Sequence, residues 1–276
     1  MLFGQVIKII AGFYFVLSEN KVYRLRASGF LREQKINPLV GDFVRFTQTG
    51  ILNAVLERKN VLARPKVANV DQVVIICALT DPKFSSLLLD RLLATIESQN
   101  IAVILIFTKA DLADAQPFYD YQKMHYQCFL IDNLTSDHHP QLMAILQNKL
   151  SVFTGQSGVG KTTTINKLMG LNLLTNATSK ALGRGKHTTR VVEVHRQNGL
   201  KIIDTPGFGS ITVKLNQHQL ATAFQTFKTW ATQCKFRSCI HYKETECFVK
   251  QQVNEQPIWN QRYQNYLKIL LETTKH

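Results

Sequence analysis

The chain has 276 residues and a formal net charge of +14, from 33 lysines and arginines against 19 aspartates and glutamates. A hydrophobic share of 45% with 19% charged residues excludes an intrinsically disordered chain, and the length accommodates one domain of ordinary size plus one or two small modules. No apolar run reaches bilayer-spanning length, and the excess positive charge favours a polyanionic partner.

The first apolar stretch, Val6 to Leu17, lacks a basic start, is interrupted by Lys8 and Gly12, and runs into the turn Ser18-Glu19-Asn20. It is therefore expected to be structure and not a leader. Residues 1–66 hold short alternating runs, Gly4–Ile9, Phe13–Val16, Lys21–Leu25 and Asp42–Phe46. About five such strands fit a small β-barrel of the OB type, although periodicity alone does not separate this from another small β domain. Arg58, Arg64-Pro65 and Lys66 form a basic connector, broken by the proline.

From residue 67 to about 212 the texture becomes strand–helix alternation, the mark of an α/β sheet. Val73–Cys77, Ile101–Phe107, Ser151–Thr154 and Lys201–Ile203 are the expected strands; Leu87–Gln99 and the stretch after Gly160 are the expected helices. Three motifs punctuate them. Thr108-Lys109-Ala110-Asp111 ends the second strand. A carboxylate at Asp111 accepts from the N1–H and exocyclic amine of guanine, a donor pair adenine lacks, while Lys109 packs over the base plane.

Gly155-Gln156-Ser157-Gly158-Val159-Gly160-Lys161-Thr162 fits the phosphate-loop pattern, with an apolar strand before it and a helix after it. Glycines let backbone N–H groups turn inward around phosphate oxygens, Lys161 reaches the β- and γ-phosphates, and the Thr162 hydroxyl coordinates Mg²⁺. Asp204-Thr205-Pro206-Gly207 follows the last strand; Asp204 suits the Mg²⁺ shell and the Gly207 N–H a γ-phosphate sensor.

Phe208 stands where many GTPases carry a water-positioning glutamine, and an apolar side chain cannot orient water. The stretch Gly183-Arg184-Gly185-Lys186-His187-Thr188-Thr189-Arg190 lies where a switch loop belongs. His187 is the candidate to position the attacking water, and Thr188 or Thr189 to sense the γ-phosphate. The alternative is a basic RNA-contacting loop with an incidental histidine.

Residues 213–276 begin with Cys234-x4-Cys239-x-His241-x5-Cys247, a Cys3His set suited to one closed, structural Zn²⁺ site, and end in a polar helix containing aromatic residues. Five cysteines, three of them crowded here, point to metal in a reducing compartment and so to the cytoplasm. Cys77 and Cys128 are expected in the core, and His138, His139, His195 and His218 carry no pattern.

The motif order is reversed. Base-reading TKAD leads, the phosphate loop follows and DTPG comes last, whereas ordinary small GTPases begin with the phosphate loop. With this order, the GRGKHTT loop and the Cys3His cluster, the chain resembles the circularly permuted GTPase family called ribosome small subunit-dependent GTPase A. Arg64-Pro65 with Ala68–Gln72, Pro82–Phe84 with Asp90-Arg91, and Arg262-Tyr263-x2-Tyr266 extend the resemblance over nearly the whole chain.

The resemblance implies three domains: an N-terminal OB-type RNA-binding barrel (1–66), a central permuted P-loop GTPase (67–212) and a C-terminal zinc-binding and helical domain (213–276). It implies a GTP hydrolase, stimulated by the small (30S) ribosomal subunit, that binds 16S rRNA late in maturation and leaves on hydrolysis. GTP or GDP with Mg²⁺, one Zn²⁺, a monomeric state and no membrane complete that expectation. The family's usual Ser-Ser after the lysine is Thr162-Thr163 here, which keeps the hydroxyl. Its second guanine-contacting loop falls near Ile131–Thr135, where Asp132-Asn133-Leu134-Thr135 matches poorly. A competing reading is an RNA-binding module that uses GTP only as a switch. Permutation also places the Cys3His module directly behind DTPG, so Phe208–Leu215 is the expected route from γ-phosphate to that module.

Overall fold

Alternating burial closes the first five strands on themselves. In a computed structural model that describes residues 1–63, 65–133, 140–171, 173, 192–205 and 212–273, β1 (Leu2–Ile10), β2 (Phe13–Ser18), β3 (Lys21–Ala27), β4 (Phe43–Phe46) and β5 (Ile51–Val55) pair in the order β1-β2-β3-β5-β4. The barrel closes where β4 runs antiparallel to β1. Val6, Val16, Leu25, Val44, Phe46 and Leu52 fill its interior. Leu31 joins them from the short helix α1 (Gly29–Glu33), which Ser28 caps by accepting the Leu31 N–H at 3.3 Å. The expected OB-type barrel is present, with β5 completing the strands named from sequence.

Behind the barrel, Arg58 is not a solvated part of a connector. Its Nε and Nη2 each lie 2.8 Å from the fully buried Asp42 carboxylate. The hairpin of β6 (Val61–Ala63) and β7 (Lys66–Ala68) follows, and Asn69 donates to the Gly41 carbonyl at 3.1 Å while accepting the Lys59 N–H.

Next come β8 (Gln72–Ala78), α2 (Ser86–Glu97), β9 (Ala102–Thr108), α3 (Gln116–Lys123) and β10 (Gln127–Ile131). Strands β10, β9 and β8 lie side by side. β9 and β10 are parallel with Ile131 opposite Thr108, so the loops after both strands leave the same edge. After α4 (Pro140–Leu146), β11 (Leu150–Gly155) leads into α5 (Lys161–Met169). β12 (Val194–Gln197) and β13 (Leu200–Asp204) form a hairpin whose Asn198-Gly199 turn has two positive φ angles, and β13 runs parallel to β11 with Asp204 opposite Phe153.

The last segment is helical: α6 (Gln217–Ala221), α7 (Gln225–Ala231), α8 (Phe248–Glu255) and α9 (Asn260–Thr273). The chain packs as two units. One comprises Met1–Gln72, Asp137–Thr154 and Lys161–Pro206; the other comprises Val73–Ser136, Gly155–Gly160 and Gly207–His276. Among the described residues no helix is long and apolar enough to cross a membrane.

Candidate functional site

The phosphate loop is a strand–turn–helix. Gly155 ends β11 so close to the Ile76 carbonyl that a Cβ would strike it. Gly160 sits at φ +86°, where a Cβ would lie 2.8 Å from the Asn133 side-chain nitrogen. Both positions therefore exclude a side chain. Between them Val159 is buried, while Ser157 and Gly158 are exposed at the apex.

Lys161 opens α5, with Thr162 and Thr163 half-buried after it. Its side chain is 6% exposed, and its ammonium is paired with the Asp204 carboxylate at the end of β13. A cation this buried needs a counter-charge, and Asp204 supplies it.

The TKAD segment lies at the end of β9. Thr108 is fully buried, and its Oγ1 donates to the Val159 carbonyl at 2.8 Å, joining the TKAD segment directly to the phosphate loop. Lys109 takes a left-handed backbone (φ 61°), and its Nζ donates to the Asp81 carbonyl and lies 3.7 Å from the Asp81 carboxylate. Asp111 is exposed beyond it. Beneath the loop, Phe107 packs against Phe84, Phe118 and Tyr121, which fixes the strand end that carries Thr108.

The four Cys/His ligand atoms lie within 4.8 Å of one another. His241 Nδ1 is 3.7 Å from Cys234 Sγ, 3.3 Å from Cys239 Sγ and 3.4 Å from Cys247 Sγ; the Cys234 and Cys247 sulfurs are 3.9 Å apart. Tetrahedral bonds of about 2.3 Å to sulfur and about 2.0 Å to nitrogen give edges of roughly 3.5–3.8 Å, so the set fits Zn²⁺. Burial pushes the Cys239 thiol up to about 12 and raises Cys247, while burial lowers His241. Thiolates in this pocket thus depend on a bound cation, whereas the imidazole is already neutral for ligation. Glu244 braces the loop by accepting the Ile240 and Tyr242 N–H groups, each at 2.8 Å. The two remaining thiols, Cys77 and Cys128, expected in the core, are half-buried, and burial raises each to about 12.

The profile of the RsgA GTPase family matches residues 55–214, and that of the RsgA N-terminal domain matches residues 3–54. The chain belongs to the RsgA GTPase family. A relative from Mycoplasmopsis pulmonis, named small ribosomal subunit biogenesis GTPase RsgA, is 48% identical over 98% of each chain. One of the same name from a Geobacillus species is 41% identical over 98% of this chain and 96% of its own.

Two solved structures superpose on the whole chain. YloQ, described as a circularly permuted GTPase, gives a TM-score of 0.80 at 32% identity and is 96% covered. YjeQ from Thermotoga maritima gives 0.83 at 28% identity and is 99% covered. The fold is accordingly that of an RsgA GTPase: an N-terminal barrel, a permuted P-loop GTPase and a C-terminal segment with a Cys3His zinc-type site.

His187, Thr188, Thr189 and Gly207 lie outside the described residues, as does the first half, 208–211, of the Phe208–Leu215 route. Asp132-Asn133 matches the guanine-loop motif poorly, yet Asn133 sits against Gly160. The available signal was topological: a loop leaving the C-terminal end of a strand parallel to β9 must lie beside the TKAD loop. Asp81 was missed too, because its carbonyl, not its residue type, holds Lys109.

Proposed function

We propose that the chain is a GTP hydrolase acting in late assembly of the small ribosomal subunit, where it binds 16S rRNA, is stimulated by the subunit and leaves it on hydrolysis. Full-length similarity to relatives named for small-subunit biogenesis supports the biological setting. The Thr108–Val159 hydrogen bond carries the nucleotide reading, because it couples a base-reading loop to a phosphate loop.

In this reading Thr108, Lys109 and Asp111 select guanine, and Gly155 to Gly160 surround the phosphates with N–H groups. Lys161 turns from Asp204 to the β- and γ-phosphates, and Thr162 and Asp204 hold Mg²⁺. His187 positions the attacking water and Thr188, Thr189 and Gly207 sense the γ-phosphate. Zn²⁺ on Cys234, Cys239, His241 and Cys247 has a structural role, since four protein ligands leave no open position. The working protein is a cytoplasmic monomer of three domains, 1–66, 67–212 and 213–276.

The deciding experiment is GTP turnover with and without 30S subunits, for the native chain and His187→Ala. Subunit stimulation of the native chain, lost in a variant that still binds GTP, is the expected result. Absence of stimulation would favour a nucleotide-dependent RNA-binding module, and full stimulation of His187→Ala would remove the histidine from catalysis.

A further inference from the structure

Helix α9 has one side in the guanine half of its unit and the other on the metal loop. Arg262, 1% exposed, places Nε and Nη2 each 3.1 Å from the buried Asp90 carboxylate on α2, and donates Nη1 to the Tyr126 hydroxyl at 2.8 Å. Its guanidinium also lies 5.4 Å from the ring centre of Tyr121 and 5.0 Å from that of Phe224. Tyr121 is on α3, the helix after the TKAD loop, and packs against Phe107, the residue immediately before Thr108. The Tyr126 hydroxyl in turn donates a hydrogen bond to Glu97, whose second oxygen accepts the Gln225 N–H at 2.9 Å.

One residue along α9, the Tyr263 hydroxyl donates to the carbonyl of the metal ligand His241 at 2.8 Å; one turn along, Tyr266 donates to the Ile240 carbonyl. Every one of these groups belongs to the same compact unit.

We infer that zinc occupancy and guanine-nucleotide affinity are thermodynamically coupled through α9, with Arg262 and Tyr263 as positioning residues at its two contacts. This rests on the assignment of the Asp111 loop to guanine. Zinc closes the Cys234–Cys247 loop and so presents the Ile240 and His241 carbonyls at fixed positions to the two tyrosines. A loop without the cation lets those carbonyls move, and two hydroxyls lose their partners. The α9 register then relaxes, and with it the Arg262 contacts that seat α3 beneath the TKAD loop. Local ordering transmits the effect without a separate signal, as a shared local-unfolding equilibrium. Linkage makes it reciprocal: if zinc tightens GDP binding, GDP tightens zinc binding by the same factor.

The test measures zinc affinity of the full chain against a chromophoric chelator, with GDP, with ADP and without nucleotide. GDP affinity is then titrated in the zinc-loaded and zinc-stripped protein, with far-UV circular dichroism monitored in both. The expected result is about a tenfold tightening of zinc by GDP and none by ADP, matched by about a tenfold loss of GDP affinity on stripping. Tyr263→Phe removes a single hydroxyl, and Arg262→Lys keeps the charge but not the fork. Both are expected to bind GDP and zinc separately while the coupling factor falls towards one.

Equal zinc affinity with and without GDP in the native chain overturns the inference, whatever the variants do. If the zinc-loaded chain binds GDP no better than ADP, the guanine assignment itself fails and takes the coupling with it.

Discussion

Thr108 donates its hydroxyl to the Val159 carbonyl at 2.8 Å, so the TKAD segment and the Gly155–Thr162 motif share one buried hydrogen bond. Thr108→Val keeps the shape and removes the donor, leaving the Val159 carbonyl without this partner. The cost is about 1–3 kcal/mol, or roughly a ten- to hundredfold loss of affinity. GDP and GTP affinities are expected to fall together, because the bond positions both halves of the site. Thr108→Ser, which restores a donor, is expected to recover most of the loss. Fluorescence titration with a labelled nucleotide measures both, and unchanged affinity in Thr108→Val would separate the two motifs.

In the proposed reading Asp111 sets base identity, and two charge-assisted hydrogen bonds from its carboxylate to guanine would each be worth about 1.5–3 kcal/mol. Asp111→Asn loses the charge and turns an acceptor into a donor facing the guanine amine. A drop of at least about a hundredfold in GDP affinity is expected, with ADP affinity unchanged. The side chain is exposed, so the melting temperature should stay put. Competition of GDP and ADP for the same labelled probe decides it; parallel losses for both nucleotides would show that Asp111 does not read the base.

Much of this arrangement is legible in residue patterns, because glycines at 155 and 160 and an apolar strand before them admit few other structures. The first three barrel strands are legible as short apolar runs bounded by the turn residues Gly12 and Glu19-Asn20. Ile51–Val55 is harder, since Asn53-Ala54 weakens the pattern and only pairing with β3 and β4 makes it a strand. The β12–β13 hairpin is marked only by the two-residue turn signal Asn198-Gly199, since Val194–Gln197 is a short strand of mostly polar residues. What no local pattern reveals is the partner of a buried charge. Arg58 reads as a surface base until Asp42 is found beside it, and Arg262 reads as a family signature until Asp90 is.

Zinc binding is expected to weaken steeply as pH falls. The Cys239 thiol stands at about 12 and Cys247 is raised, both chiefly by burial, so each carries a proton across the neutral range. Zinc must displace those protons, and the metal-bound state is the one that gains as pH rises. His241 is lowered by burial, so it is already neutral there and contributes no proton to the exchange. The logarithm of the zinc association constant should therefore rise by about two or more per pH unit between roughly pH 6.5 and 8. Chelator competition across that window measures the slope; a flat profile would mean that the thiols are ionised without the metal.

The barrel offers a basic face that can be tested apart from the nucleotide site. Strands β1 to β3 contain Lys8, Lys21, Arg24 and Arg26 and no acidic residue, and Lys8 is paired with Glu193 at 2.5 Å, which leaves Lys21, Arg24 and Arg26 to set the charge of the face. The Arg24 guanidinium stacks 3.7 Å from the Phe13 ring centre and that of Arg26 lies 4.7 Å from the same ring, both arginines being exposed. A guanidinium held over an aromatic ring is preorganised to donate to a phosphate, and less rotamer freedom is lost on binding. Arg24→Ala and Arg26→Ala are each expected to weaken binding to a fragment of 16S rRNA and to reduce the slope of log affinity against log salt by about one. The double variant should add the two effects while leaving GDP affinity and melting temperature as they were. Weakened binding with an unaltered salt slope would place these arginines outside the phosphate contacts, and undiminished binding would move the RNA contact off this face.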